Sequence, residues 1–598
     1  MRKQLMETNQ FLGYVHRPYC PDNAWYDMEN LCADEYPLLS VREKPYRFSD
    51  DHDFVLSKYM RIPDGSYKHV MVAICNEEDD RGEWVHSVYM YTDTNKRYKY
   101  GTYDGHAESA LDFGGGIYIK VGAGGELITP DEIIKPVKYT RAGGIVGAAT
   151  VTPCDINGNA YTISSYQEEP TEKTDGMIWV DTNDGTIVYK RWSVTTLQWQ
   201  TIPQVYACIR DRNYSEEYAD FSVGDAVYFD FDPVNDVNRP LLRTVKQIVN
   251  KTDDGGIVVV TSIMTATSLP ATTIIIRKPP EMDYITECNN RIWGCKYGTL
   301  INSWARTYNE IYCCKLGDPT NWEVYSGIST DAWRASCGTE GPWTGAITYN
   351  GNPYFFKENS ITRVYVSSTG AHQTIDYMYP GIVEGCKHGA DIVGNVVYYK
   401  GRNGVYAYDG GQPVLISDPL GDDNRGPAEL YSADGKLYVS KDGKLFVYDP
   451  KTKTWWKDET DTEQEANPAV YRNIFIAHGK TFGHVEDDCI VKGFTPDSEP
   501  VNWQAISGIQ FYTTPDRKYI GRYSFRLELE EGSTFELEIE YDSSGEWIHC
   551  GSITGDRHGC YTLPVVPRRC DHLRYRIYGT GPMKLFAITR EFEGGTDK

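Results

Sequence analysis

Sustained helical periodicity is what this 598-residue chain lacks most. Almost no segment places apolar residues at i, i+3, i+4 and i+7 over several turns, which excludes a helical bundle or solenoid. No run of 18 apolar residues occurs, so no membrane-spanning helix is expected. The opening MRKQLMETNQFLGYV has no apolar h-region and no cleavage site, so no signal peptide is read there. Cysteine is sparse for the length, with 15 scattered residues, an odd number that suits no disulfide scaffold. Reduced thiols and synthesis in the cytoplasm are the expectation. The nearest approach to a metal cluster is Cys288, Cys295 and the adjacent Cys313-Cys314. That spacing fits no zinc site and reads as buried structural thiols. Positive charge is also short: 60 Lys and Arg against 84 Asp and Glu leave a net charge of −24, which argues against a general binder of nucleic-acid backbone. The most basic run, Pro567 to Arg576, alternates like a strand and reads as a solvated sheet face.

The motifs of common chemistries are missing as well. There is no Gly-x-Ser-x-Gly, no His-Glu-x-x-His and no phosphate loop of the Gly-x-x-x-x-Gly-Lys type. No Ser/His/Asp set stands in an informative context. A glycosidase would need paired carboxylates; Asp331, Glu340, Glu358 and Glu384 qualify by position alone and read as solvated loop residues. The stretch from Tyr541 to Trp547 is similar to the Asp-box of sialidase propellers, but its order is wrong, and it reads as a hairpin with a packed Trp. Trp179, Trp192 and Trp199 could form a sugar platform or a small module's own core; the core is the preferred reading. No catalytic, cofactor-binding or metal-binding residue is nominated, no cofactor is expected, and the chain is read as not an enzyme.

What is abundant is strand and turn material, 46 Tyr and 55 Gly, which favours sheets over helices. One pattern recurs from Tyr349, from Val393 and from Ser432: an alternating apolar strand, a tight Asn, Asp or Gly turn, then a second strand ending in aromatics. Such hairpins at a spacing of roughly 40 residues are the signature of β-propeller blades. The fold expected is all-β, a propeller with an inserted β-barrel-like module and a C-terminal β-sandwich. The boundaries read are an extended N-terminal arm over 1–45, propeller over 46–139, the insert over 140–280, propeller again over 281–498, and the sandwich over 499–598. Strands from 45–140 are expected to complete a ring built mostly from 280–490, with one blade shared between the two parts.

Several short motifs occur in order along the chain. They are Asn30 with Tyr36-Pro37-Leu38-Leu39-Ser40-Val41-Arg42; Asn290-Arg291-Ile292-Trp293-Gly294-Cys295; Leu316-Gly317-Asp318-Pro319-Thr320-Asn321-Trp322; Tyr354 to Ile361; Pro380-Gly381; Gly404 to Gly410; and Pro567 to Asp571. Together they resemble propeller-containing structural proteins of bacteriophage tails, similar in plan to the nozzle or hub proteins of short-tailed phages. The resemblance implies a virion location, a homo-oligomeric ring around the tail axis, and a part in tail assembly, genome retention or delivery. It further implies other tail proteins as partners, transient contact with DNA passing through a channel, a host surface receptor, and no membrane insertion. The alternative weighed beside it is a virion-borne propeller that binds or cleaves glycans during host attachment. An intracellular scaffold of the WD or kelch type ranks last, because neither repeat signature recurs.

Overall fold

In the computed structural model, residues 3–594 are described apart from short gaps and the longer stretches 43–52, 141–149, 211–222, 231–245 and 459–499. The end of the expected propeller, 459–498, and Pro567 and Thr320 therefore lie outside the described residues. The chain is all-β. Among the described residues its propeller comprises six four-stranded antiparallel sheets, each a simple meander. Blade I runs from Asp53–Arg61 to Arg97–Tyr103, and blade II from Ala107–Phe113 to Ile133–Ile134. Blade III runs from Tyr284–Glu287 to Trp333–Ser336, and blade IV from Gly345–Tyr349 to His372–Tyr377. Blade V runs from Ala390–Val393 to Val414–Leu415, and blade VI from Glu429–Ala433 to Thr454–Asp458. The first strand of each blade touches the first strand of the next, as strands around a common axis do.

Local chemistry explains the hairpins. Between the first two strands of blade IV, Asn350 (φ 47°) and Gly351 (φ 67°) both take the left-handed conformation of a two-residue primed turn. Blade faces are sealed by aromatic and β-branched residues from neighbouring sheets. Met60 and Val72 pack with Ile117 and Ile119, and Phe113 and Tyr118 with Ile285 and Trp322. Trp293 and Ile311 pack with Trp343 and Phe355, Phe356 with Tyr399, and Tyr398 with Tyr448. Each such fully buried side chain contributes about 1.5–3 kcal/mol, so the disc is held by many equivalent seams. Among the described strands, the N-terminal ones share no blade with the later ones, contrary to the expectation of one shared blade. Their own long hairpins make blades I and II whole.

The chain leaves the propeller after Ile133–Ile134 and re-enters it at Tyr284–Glu287. Between these points Lys138–Thr140 pairs antiparallel with Ile274–Ile276, so entry and exit are tied together. They belong to an eight-stranded sheet that ends at Lys138–Thr140 on one side and Thr267–Ser268 on the other. These two ends are not paired with each other in that sheet, so the expected barrel-like closure is not what the described strands form. A second, four-stranded sheet over 163–201 is nested within the insert, its core made by Ile178, Val180, Tyr189 and Val205.

The N-terminal segment corrects the reading of an extended arm. Gln4–Thr8 pairs antiparallel with Met583–Gly594, and Trp25–Glu29 pairs with Asn502–Ser507. Leu31–Cys32 pairs with Leu39–Val41, which in turn pairs with Met583–Gly594. Residues 4–41 thus supply strands to both sheets of the C-terminal unit. The reason is burial: Phe11, Trp25, Met28, Leu31 and Leu39 are each at most 1% exposed and need a partner surface. One sheet contains Trp25–Glu29, Asn502–Ser507, Leu573–Thr580, Thr534–Tyr541 and Ile548–Thr554 in that order; the other is built on Lys518–Leu529 and Met583–Gly594. Their inner faces meet through Phe525 and Phe535 (4.8 Å between ring centroids) and Tyr523 and Tyr575 (5.3 Å). Gly13 fastens this unit to blade VI. It sits at φ 76°, forms a parallel bridge with Trp455, and would carry a Cβ only 2.2 Å from the Trp455 carbonyl oxygen.

Candidate functional site

The carboxylates nominated by position do not assemble into an acid–base pair. Asp331 is buried beside Arg291, whose guanidinium donates to the Asp331 backbone carbonyl at 2.7 Å. Glu340 and Glu384 are exposed. Glu358 accepts from Arg402 at 2.6 Å and from the Glu384 amide at 3.2 Å, so two nominated residues meet, but only to fix a loop. The cysteines behave as structural thiols. Cys288, Cys295, Cys313 and Cys314 are buried, and burial pushes the Cys288 and Cys313 thiols up to about 11 and Cys314 to about 12. No group of three metal-ligating side chains is found among the described residues.

Two arginines of the basic run are neutralised by the neighbour strand. Register places Arg574 opposite Glu540 and Arg576 opposite Glu538, with Nε–Oε2 distances of 2.8 Å and 3.0 Å. Trp547 covers both guanidinium groups, 5.5 Å and 5.1 Å from them. Two lysines lie inside the propeller at 1% exposure. Lys357 donates to Asn309 at 2.8 Å and to the Thr339 carbonyl at 2.6 Å, with its ammonium 4.2 Å from the Trp343 ring. Lys400 donates to the carbonyls of Gly401 and Asn424, and burial lowers it to about 8.

The insert tryptophans are not in the core of their sheet. Trp179, Lys190, Trp192 and Trp199 occupy the face opposite Ile178, Val180 and Tyr189, because side chains alternate along each strand. Trp199 lies 5.3 Å from both Trp179 and Trp192, edge to face. Lys173 and Lys190 rest over Trp192 and Trp179, each at 4.7 Å, and Trp199 donates to Glu169 at 2.9 Å. The Trp179 Nε1 is buried without an acceptor, and Leu197 at the adjacent hairpin tip is 69% exposed.

A cleft of about 740 Å³ opens where the N-terminal segment, blade VI and the sandwich meet. Arg42, Lys436, Lys451 and Lys584 face Asp34, Glu35, Asp449, Glu528 and Glu530 across it. Lys436 is paired with Asp34 and Lys584 with Glu35 at 2.7 Å, so much of its charge is spent in joining the units.

One constellation escaped the sequence reading. At the sandwich edge the Ser543 hydroxyl lies 2.7 Å from His572 Nε2, and His572 Nδ1 lies 3.0 Å from Asp571 Oδ2. Asp542 (φ 49°) and Ser543 (φ 51°) form the hairpin turn, with the Ser544 amide donating to the Tyr541 carbonyl at 3.1 Å. The Asp542 carboxylate accepts the amides of Asp571 and His572 at 2.7 Å and 3.3 Å, locking the two segments together. The hydrogen bond from His572 holds the Asp571 carboxyl below its usual range. The only signal in the sequence was the Asp-Ser turn itself; its partners stand 28 and 29 residues on.

No protein-family model matches the chain, and no curated protein sequence matches it. Among solved structures, it is similar to a catalytically inactive virginiamycin B lyase from Staphylococcus aureus, at 11% identity over 49% of this chain and 93% of that one (TM-score 0.22). It is also similar to AztD from Citrobacter koseri, at 12% identity over 65% and 94% (TM-score 0.20). A third is a quinoprotein alcohol dehydrogenase-like protein from Bacteroides thetaiotaomicron, at 11% identity over 62% and 82% (TM-score 0.19). Likeness this distant says nothing of activity.

Proposed function

We propose that this chain is a structural component of a bacteriophage tail, assembled as a ring around the tail axis and serving tail assembly, genome retention or delivery. The ordered motifs from Asn30 to Asp571 support the phage-tail reading. The observation that carries assembly is the apolar rim of the disc: Ile375, Met378 and Val414, on or next to the outer strands of blades IV and V, are 38%, 76% and 60% exposed, and Val366, at the end of the adjoining strand of blade IV, is 55% exposed. The outer strand of blade IV is paired on one side only, leaving a backbone edge beside these side chains. Exposed apolar groups flanking an open strand edge are the surface of a subunit contact. Closed symmetry is the usual outcome for identical subunits. The integrated N-terminal strands move the contact surface away from residues 1–45 and onto these edges.

Partners of this kind are other tail proteins, with DNA as a transient passenger. A net charge of −24 suits a lumen that repels phosphate rather than gripping it. Quantitative protein analysis of purified particles, with electron microscopy of the isolated protein, tests the reading. Several copies per particle and a closed ring are expected. Absence from particles, or one copy, refutes it. A second reading, glycan binding during host attachment, is favoured by the tryptophan face of the insert. A glycan array probed with full-length protein and with Trp192→Ala distinguishes it.

A further inference from the structure

We propose that Ser543, His572 and Asp571 form a nucleophilic site that hydrolyses short-chain carboxylic esters, independently of any role in assembly. The geometry meets the two tests of an activated serine: nucleophile to base at 2.7 Å, and base to orienting carboxylate at 3.0 Å. With its proton on Nδ1, directed to Asp571, His572 presents a bare Nε2 to the serine hydroxyl. The turn sets the serine outward. Ser543 is exposed at a positive φ of 51°, so its hydroxyl stands clear of the sheet. The Ser543 backbone N–H has no hydrogen-bond partner among the described residues. It is therefore free to serve an oxyanion formed on the carbon that Oγ attacks, the place occupied by the nucleophile's own amide in serine hydrolases.

The reaction balances without a further reagent. Ser543 Oγ bonds to the acyl carbon as its proton passes to His572 Nε2. The bond from carbon to the alcohol oxygen then breaks, and His572 returns the proton to the leaving alkoxide. Water repeats the sequence, releasing the acid and restoring serine. Asp571 remains a carboxylate throughout. Asp542 is a positioning residue, since its carboxylate holds the amides of both 571 and 572.

The surroundings select the substrate class. Ser543 is exposed and the Asp571 side chain is 57% exposed, so the site stands open at the surface rather than engulfing its substrate. An acyl group carried on the surface of a larger molecule can reach it. Phe511, 53% exposed with its ring centroid 5.9 Å from that of His572, offers an apolar rest for a group as small as acetyl.

The test uses full-length protein with p-nitrophenyl acetate, and separately a fluorophosphonate probe followed by peptide mapping. The proposal expects turnover above buffer, lowered about 100-fold or more in Ser543→Ala, and phosphonate on Ser543. Asp571→Asn should lower the rate and alter its pH profile, which a purely structural turn would not do. Ser543 is exposed, so its alanine variant should unfold at the same temperature as the parent. Equal rates in the parent and in Ser543→Ala overturn the proposal, as does a probe that labels another residue or none.

Discussion

Removing the Trp25 side chain should unfold the terminal sandwich far more readily than its distance from the C-terminus suggests. Trp25 is 1% exposed and wedged between Phe11, 6.2 Å away, and Tyr575, 5.7 Å away and edge-on. Trp25→Ala deletes a bicyclic side chain from a seam that links strand 25–29 with strand 573–580. Truncations of this kind cost about 3–5 kcal/mol when the cavity cannot collapse. For a unit of this size that corresponds to a fall on the order of 10–20 °C in its midpoint. Near-ultraviolet circular dichroism during heating reads it, since the Trp and Tyr signals of the sandwich report its packing. The propeller transition should hardly move, because its seams run between blades. A fall of less than about 2 °C would show that the N-terminal segment only rests on the sandwich, and the integration argued from its strand pairing would be wrong.

Other consequences are open to direct measurement. Gly381→Ala should destabilise the junction of blades IV and V, since a Cβ there would stand 1.9 Å from the Lys357 carbonyl oxygen; an unchanged melting curve would contradict the close approach. Lys400, lowered to about 8 by burial, holds its proton to higher pH when unfolded, so its burial penalty is present below pH 8 and is relieved as pH rises toward the ordinary lysine value. The parent should therefore gain stability relative to Lys400→Met between about pH 8 and 10, and parallel pH profiles would refute this. Met378→Asp with Val414→Asp should leave a folded monomer by scattering and circular dichroism while blocking ring formation; intact rings would clear the blade rim of that role. Arg590 is fully buried, donates to Gln510 at 2.6 Å and to Thr8, and lies about 6 Å from the rings of Tyr512 and Tyr575. Arg590→Ala should cost about 2–4 kcal/mol in denaturant unfolding, against little for Lys3→Ala, whose exposed ammonium pairs with a Glu591 that Arg522 also holds.

The blades were legible because their information is local. Asn350-Gly351 sets a turn, and the unbroken apolar run Tyr354-Phe355-Phe356 declares a strand buried on both faces, all within ten residues. The pairing of Thr8 with Ile588 has no local sign, so residues 4–41 read as an arm although their burial demanded a partner. The strand order of the insert was hidden for a similar reason: alternation marks a strand but not its neighbour. The basic run does alternate, with Arg574 and Arg576 on the half-exposed face, but its compensating carboxylates, Glu538 and Glu540, had no local sign because they belong to another strand and are brought opposite only by register. Ser543 and His572 were invisible in the same way. Strands 534–541 and 573–580 had to be paired before their ends could meet.

Pairing of the first strand with the last also sets a timetable for the newborn protein. Thr8 leaves the ribosome about 580 residues before Ile588, a delay of roughly half a minute to two minutes at ordinary rates of synthesis. Through that interval Phe11, Trp25 and Leu31 have no sandwich to enter. Blades I to VI, built from neighbouring hairpins, can close in order as they emerge. Gln4–Thr8 and Met583–Gly594 are then joined after the blades, and the joined unit is sewn to blade VI through Gly13. Pairing of Gln4–Thr8 therefore waits for synthesis of Met583–Gly594: a chain stopped short of that strand would carry formed blades but leave Phe11, Trp25 and Leu31 uncovered.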